Sequence, residues 1–271
     1  MKQVVMTGAA GGVAGMIRPL LRSVYPTLVL SDRVQPPQLA GGERFVAADL
    51  TDLGALEKVV AGAQGIIHLG GYSVEGPWET IHAANIVGCH NLFEAARRQG
   101  VSRVVFASSN HAIGFYRRSR RIGADDRVRP DSRYGVSKAF GEALGSLYAD
   151  KYGLRVLSLR IGNVGERPLD VRRLSIWLHP EDLVQLIRIG LEHPDVRNEV
   201  VFGLSDCARA WWDNRTAQRL GYVPRHRAEE HRADAIAEQA KLPPDPVGDL
   251  LQGGTFPSDG YTGEWVAKGQ E

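Results

Sequence analysis

Cysteine is scarce in this sequence: Cys89 and Cys207 are the only two in 271 residues, and neither belongs to a CxxC pair. A disulfide framework is excluded, and both read as reduced core thiols of a cytoplasmic protein. Long apolar runs are missing too. No stretch reaches the roughly 18 apolar residues that suggest a membrane span. The start, Met1-Lys2 followed by a short apolar segment and glycines, lacks the apolar region and cleavage site of a secretory signal. Charge is balanced: 33 basic and 31 acidic side chains leave a net +2, too little to suggest a nucleic-acid partner. The one dense basic run, Arg117-Arg118-Ser119-Arg120-Arg121, reads as a solvated loop or as steering for an anionic small molecule. Eight histidines occur without HExxH or HxH spacing, so no metal site is expected.

What is present is an alternation. Short apolar segments near residues 4–6, 28–30, 45–47, 65–69, 104–107 and 156–159 read as strands. Between them, helical periodicity runs over about 13–24, 51–60, 78–98 and 131–152. Pro19 predicts a kink or a late start in the first helix. Strands this apolar need cover on both faces, which predicts an α/β fold, a Rossmann doubly wound parallel sheet. Beyond residue 162 the alternation fades: 163–175 reads as loop, 180–192 as helix, 199–204 as strand and 209–219 as helix. The expected organisation is an NAD-binding Rossmann domain over 1–162 and a small C-terminal substrate-covering lobe over 163–271, not an independent domain. Trp211-Trp212 reads as core packing of that lobe, with a sugar platform as the other role open to it. Such sheets bind ligands at the carboxyl ends of their strands, where Asp32, Asp49, Gly70, Ser109 and Gly162 all fall.

Gly8-x-x-Gly11, continued by Gly12 and Val13, suits a tight strand-to-helix turn whose N–H groups hold a pyrophosphate. Asp32, about 20 residues on, can accept both ribose hydroxyls of NAD and would repel a 2′-phosphate, whereas its neighbour Arg33 would suit NADP. NAD is the expected cofactor. Asp49 and Leu50 are expected to bracket the adenine; capping the next helix is the other role open to Asp49. Leu69, Gly70 and Gly71 after the fourth strand, Asn85 on the following helix and Lys138 complete the cofactor contacts read from the residues.

Tyr134-Gly-Val-Ser-Lys138 sets a phenol and an ammonium on one helix face, since four residues is close to one turn. An ammonium beside a phenol favours the phenolate, and a phenolate can take a proton from a hydroxyl. Ser109, ending the fifth strand about 25 positions earlier, would orient the substrate oxygen. Lys138 would also hydrogen-bond the nicotinamide ribose. Together these residues point to oxidation of an alcohol by a nicotinamide cofactor.

At these positions the chain resembles the extended branch of the short-chain dehydrogenase/reductase superfamily, and more closely the bacterial uronate dehydrogenases. HLGGYSVEGP at 68–77, FASSNHAIGFY at 106–116, RPDSRYGVSK at 129–138 and RIG at 160–162 carry the likeness. RRLSIW at 172–177, WWDN at 211–214 and QGGTF at 252–256 extend it nearly to the end. The resemblance implies oxidation of the C1 hydroxyl of a hexuronic acid, D-glucuronate or D-galacturonate, to an aldarolactone, with hydride transfer to NAD. It implies contacts to the sugar from Ser73, Ser109, Asn110, His111, Tyr134 and Asn163, a carboxylate held by Arg172, a pocket closed by Phe256, and Val164 as a cofactor contact near the nicotinamide. It also implies a homo-oligomer. Asn163 and Val164 stand where the family often has serine and cysteine. Two other readings stay open: a nucleotide-sugar epimerase or dehydratase, or other sugar dehydrogenase of the superfamily, and a non-enzymatic NAD(P)-binding sensor.

Overall fold

Strands without a polar face have to be enclosed, and the computed structural model, which describes residues 1–264, encloses all of the expected ones but the edge strand over 43–47, which stays partly exposed. The strands are β1 (Gln3–Thr7), β2 (Thr27–Asp32), β3 (Glu43–Ala47), β4 (Gly65–His68), β5 (Arg103–Ser109), β6 (Arg155–Ile161), β7 (Asn163–Val164), β8 (Trp177–Leu178) and β9 (Asn198–Gly203). Seven form one parallel sheet in the order β3-β2-β1-β4-β5-β6-β9, and β7 pairs with β8 separately. β1 lies between β2 and β4, with Thr7 level with Ser31 on one side and His68 on the other. The strand order reverses there, which opens a crevice at the carboxyl ends.

The pleat divides the core. Val4 and Met6 face α1 (Gly12–Arg22), while Val5 faces α2 (Leu53–Val60). In chain order the remaining helices are α3 (Trp78–Ile81), α4 (Gly88–Arg98), α5 (Arg133–Tyr152), α6 (Pro180–Glu192), α7 (Arg215–Arg219), α8 (Arg232–Gln239) and α9 (Thr255–Ser258). α6 joins α1 on the first face; α4 and α5 join α2 on the second. The sheet thus takes β9 and α6 from beyond residue 162. A third cluster, with Ile113, Tyr116, Ile176, Trp177, Phe202 and Trp212, forms the base of the roof over the strand ends. No helix among the described residues is long and apolar enough to cross a membrane.

Several local expectations need correction. α1 does not start late: it begins at Gly12 and runs through Pro19. The helix over 78–98 contains a π segment, His82–Val87, between α3 and α4. Only Arg215–Arg219 of the helix expected over 209–219 forms. Trp212 prevents the earlier turn: it is drawn into the core, stacks on Phe202 at 4.9 Å and donates from Nε1 to Gln252 Oε1 at 2.8 Å. The stretch 163–175 is not all loop, since it holds β7 and a short 3-10 turn at Arg173–Ser175. The last seven residues of the expected lobe, 265–271, lie outside the described part.

Two features set α5 against the sheet. Glu142 accepts from Ser108 Oγ at 2.6 Å and from Arg160 Nε and Nη2 at 2.9 and 2.8 Å, tying α5 to β5 and β6 through a buried ion pair. Gly141 permits the close approach, because a Cβ there would lie 2.2 Å from Phe106 Cζ. Gly141→Ala is expected to cost about 1–3 kcal/mol through overpacking and to lower the urea midpoint. An unchanged midpoint would show that α5 can back away freely.

Candidate active site

The glycine turn has the shape of an anion cradle for two independent reasons. Gly8 has a φ of +69°, and a Cβ on it would come within 2.7 Å of the Gly70 nitrogen. Any side chain would therefore strain the backbone and push the β4 loop away. At Gly11, α1 begins without a side-chain cap, so the first-turn N–H groups have no side-chain acceptor. Beside them lies a cavity of about 380 Å³ lined by Gly8, Gly11, Gly12, Val13, Asp32, Asp49, Leu50, Leu69, Gly70, Gly71 and Ser73. Residues from four strand ends thus converge on one crevice.

Asp32 accepts from the Ala10 and Arg33 amides at 3.0 and 2.7 Å, which fixes its carboxylate at the crevice rim. Asp49 does not cap α2. Its Oδ1 takes the amide and hydroxyl of Thr51 at 2.8 and 2.7 Å, and the Thr51 amide, first among the causes, holds its carboxyl below the usual range. The cap is Asp52, which accepts from the Ala55 amide at 2.9 Å. Leu50 is held by Asn91, whose Nδ2 donates to its carbonyl at 3.0 Å, and it sits so close that a Cβ on Gly88 would meet it at 2.6 Å.

Asn85, Lys138 and Val164 do not line this cavity. Asn85, inside the π segment, uses its amide on the chain itself: Oδ1 accepts from the Tyr72 amide at 2.7 Å, and Nδ2 donates to Tyr72 O and Ser137 Oγ, both at 2.9 Å. It holds the β4 loop to α5. Val164 packs with the α1-side core, and Asn163 pairs across to Trp177 on β8.

At the end of β5, Ser109 accepts from the His111 amide at 3.2 Å. Tyr134 and Lys138 are both buried on α5, with Lys138 Nζ 5.5 Å from the Tyr134 ring centroid and donating to Ala107 O at 2.7 Å. The helix start is fixed by Ser132, which accepts from the Gly135 amide at 3.0 Å. Glu75 accepts from the Tyr134 amide at 3.0 Å. Phe256 on α9 stacks on His111 at 3.7 Å, and both rings face Tyr134, at 6.2 and 5.8 Å.

Arg172 stands beside this group. Its Nε donates to Gln252 O at 3.0 Å, and a suitably oriented Asn110 amide accepts from Nη2 at 3.1 Å while donating to Ile161 O at 3.2 Å. Gly254, at φ +70°, leaves the room the guanidinium needs, since a Cβ there would lie 2.7 Å from Arg172 Nε. Neighbouring Arg173 is paired with Asp170, whereas Arg172 forms no ion pair among the described residues. Burial, followed by the charges of Arg173 and Arg118, pulls its pKa down to about 10, so it remains a cation at neutral pH. A half-buried cation beside hydrogen-bonding side chains and a phenol can hold an anionic polyol next to a proton acceptor.

Asp131, Glu75 and Gln252 carry much of this geometry, and residue spacing alone does not mark them. Asp131 meets His111 and Gln252 meets Arg172 only through tertiary folding. One group of possible metal donors, His179, Glu181 and His226, occurs among the described residues, outside this site. There His179 Nε2 faces Glu166 and His226 Nε2 faces Glu181. Cys89 and Cys207 are buried and unbridged, and burial pushes both thiols up to about 12.

The model of the NAD dependent epimerase/dehydratase family matches residues 4–177. The uronate dehydrogenase of Pseudomonas syringae pv. tomato is 43% identical, over 97% of this chain and 95% of that one. The crystal structure of glucuronic acid dehydrogenase from Chromohalobacter salexigens superposes with a TM-score of 0.91 at 42% identity, covering 95% of this chain and 97% of that one. A tyrosine-to-alanine variant of Agrobacterium tumefaciens uronate dehydrogenase, complexed with NAD, gives a TM-score of 0.90 at 42% identity, with the same coverage.

Proposed function

The chain belongs to the NAD dependent epimerase/dehydratase family, and from that premise we propose that it is an NAD-dependent dehydrogenase of uronic acids. The observation that carries the reading is Arg172, a half-buried guanidinium without a carboxylate of its own among the described residues, set beside Asn110 and the His111–Phe256–Tyr134 cluster. A neutral sugar would leave that cation unanswered; a uronate answers it. Full-length likeness to the Pseudomonas syringae enzyme favours this reading over an epimerase, a dehydratase or a non-enzymatic sensor.

The crevice residues fit NAD. Gly8, Gly11, Gly12 and Val13 would surround the pyrophosphate, Asp32 the adenosine ribose, and Asp49 and Leu50 the adenine. Leu69, Gly70 and Gly71 would floor the crevice, Lys138 would hold the second ribose, and Val164 would flank the nicotinamide. Bound there, NAD supplies the hydride acceptor. Asn85 belongs behind this surface, shaping the Gly71–Tyr72 loop.

The sugar lies over Tyr134. Ser109 positions O1, and Tyr134 takes its proton as C1 gives up hydride, leaving a C1 carbonyl within the ring, an aldarolactone. Lys138 places positive charge beside the phenol oxygen as the reaction proceeds. Arg172 fixes the C6 carboxylate. Asn110, His111, Ser73 and Asn163 meet the ring hydroxyls, and Phe256 excludes water.

Exposed Trp78, Val136, Leu147 and Tyr152 offer apolar surface along the α3–α5 side, which supports a homo-oligomer. The two buried thiols agree with a reducing cytoplasm. The test of function is absorbance of NADH: glucuronate or galacturonate with NAD will give turnover, and glucose will give little. Failure of both uronates across neutral and mildly alkaline pH overturns the reading.

A further inference from the structure

We propose that Asp131 is a positioning residue for sugar recognition, holding His111 in the tautomer whose Nε2 accepts a hydrogen bond from a ring hydroxyl. The inference rests on the uronate reading and assigns a role to a residue outside the Ser-Tyr-Lys set. The Asp131 side chain is fully buried, with Oδ2 2.8 Å from His111 Nδ1 and Oδ1 accepting from Ser132 Oγ at 2.8 Å. A carboxylate can only accept, so the proton between them sits on Nδ1. A neutral imidazole then has a bare Nε2, an acceptor for O–H. Stacking on Phe256 at 3.7 Å and edge contact with Tyr134 at 5.8 Å hold the ring plane.

The recess around this carboxylate is made by glycines from three separate segments. A Cβ on Gly114 would lie 1.7 Å from Asp131 Oδ2, one on Gly253 2.0 Å from the same atom, and one on Gly135 3.2 Å from Oδ1. Gly114 follows β5, Gly135 opens α5, and Gly253 comes from the strap over 252–256. The Gly253 amide donates to Gly114 O at 2.9 Å. The same strap bonds Arg172 through Gln252 O, clears space for it at Gly254 and supplies Phe256. One short segment therefore sets the hydroxyl acceptor and the carboxylate-binding cation relative to each other. A sugar must present a donor and an anion at matching separation.

Long-range 1H–15N correlation spectra of the labelled full-length protein read the tautomer directly, with His111 signals assigned by their loss in His111→Gln. The wild type should show protonated Nδ1 and bare Nε2; protonated Nε2 in the neutral ring overturns the proposal. Asp131→Ala should raise the uronate KM roughly five- to tenfold, the loss of one neutral hydrogen bond, with the NAD dissociation constant unchanged. Asp131→Asn should restore most of it, because an amide oxygen can still accept from Nδ1 while the amide nitrogen faces Ser132. An unchanged uronate KM in Asp131→Ala also overturns the proposal. Should the alanine variant not fold, the wild-type spectrum and the asparagine variant still decide. A wild-type enzyme inactive on uronates would sink the substrate reading, and the spectrum would still report the tautomer.

Discussion

Tyr134→Phe will lower kcat for uronate oxidation by about two to four orders of magnitude, the usual contribution of a positioned general base, and will leave NAD affinity within about twofold. The substitution removes one oxygen and keeps the ring. That ring is buried against His111 and Phe256, and Lys138 keeps its bond to Ala107 O, so the packing has no reason to change. Single-turnover NADH formation reports the chemical step, and quenching of protein fluorescence reports cofactor binding. Retained turnover would exclude Tyr134 as the proton acceptor. Joint loss of turnover and NAD binding would show instead that the phenol supports the crevice.

Arg172→Ala will lower kcat/KM for uronate by roughly 10- to 150-fold, the equivalent of one charge-assisted hydrogen bond of about 1.5–3 kcal/mol. The effect on glucose should be small, so the ratio of the two substrates is the informative quantity. Arg172 also donates to Gln252 O and Asn110, and a melting curve will separate lost recognition from a loosened strap. Arg172→Lys should recover part of the charge and little of the specificity, since an ammonium lacks the planar fork. If uronate and glucose fall together, the carboxylate lies elsewhere.

The sheet was legible because its central strands are buried on both faces. Val4 to Met6, Ile66 and Ile67, and Val104 to Phe106 can hardly be read as anything but internal strands. Their polar ends, from Asp32 to Ser109, followed from the same pattern. The roof was less legible, since its structure depends on partners far away in sequence. Trp212 stops a helix because Phe202 and Gln252 hold it. Gln252 itself donates to the carbonyls of Arg117 and Arg120, more than a hundred positions earlier. Asn85 lies on the expected helix, yet the π segment turns its amide to Tyr72 and Ser137. Asp131 sits inside the quoted RPDSRYGVSK segment, but its importance appears only when His111 and three glycines close around it. Periodicity detects burial on one element; it does not detect which side chains meet across elements.

The strap over 252–256 has a consequence for how such a catalyst can diversify. Through Arg172 and His111 it touches groups that would greet the sugar, and none of its residues lines the nucleotide crevice. Exchanges at Thr255 and Phe256, the strap positions held neither by a close glycine approach nor by the Gln252 bonds, could therefore retune which ring is admitted while the redox machinery stays intact. New preferences become reachable in small, separable steps.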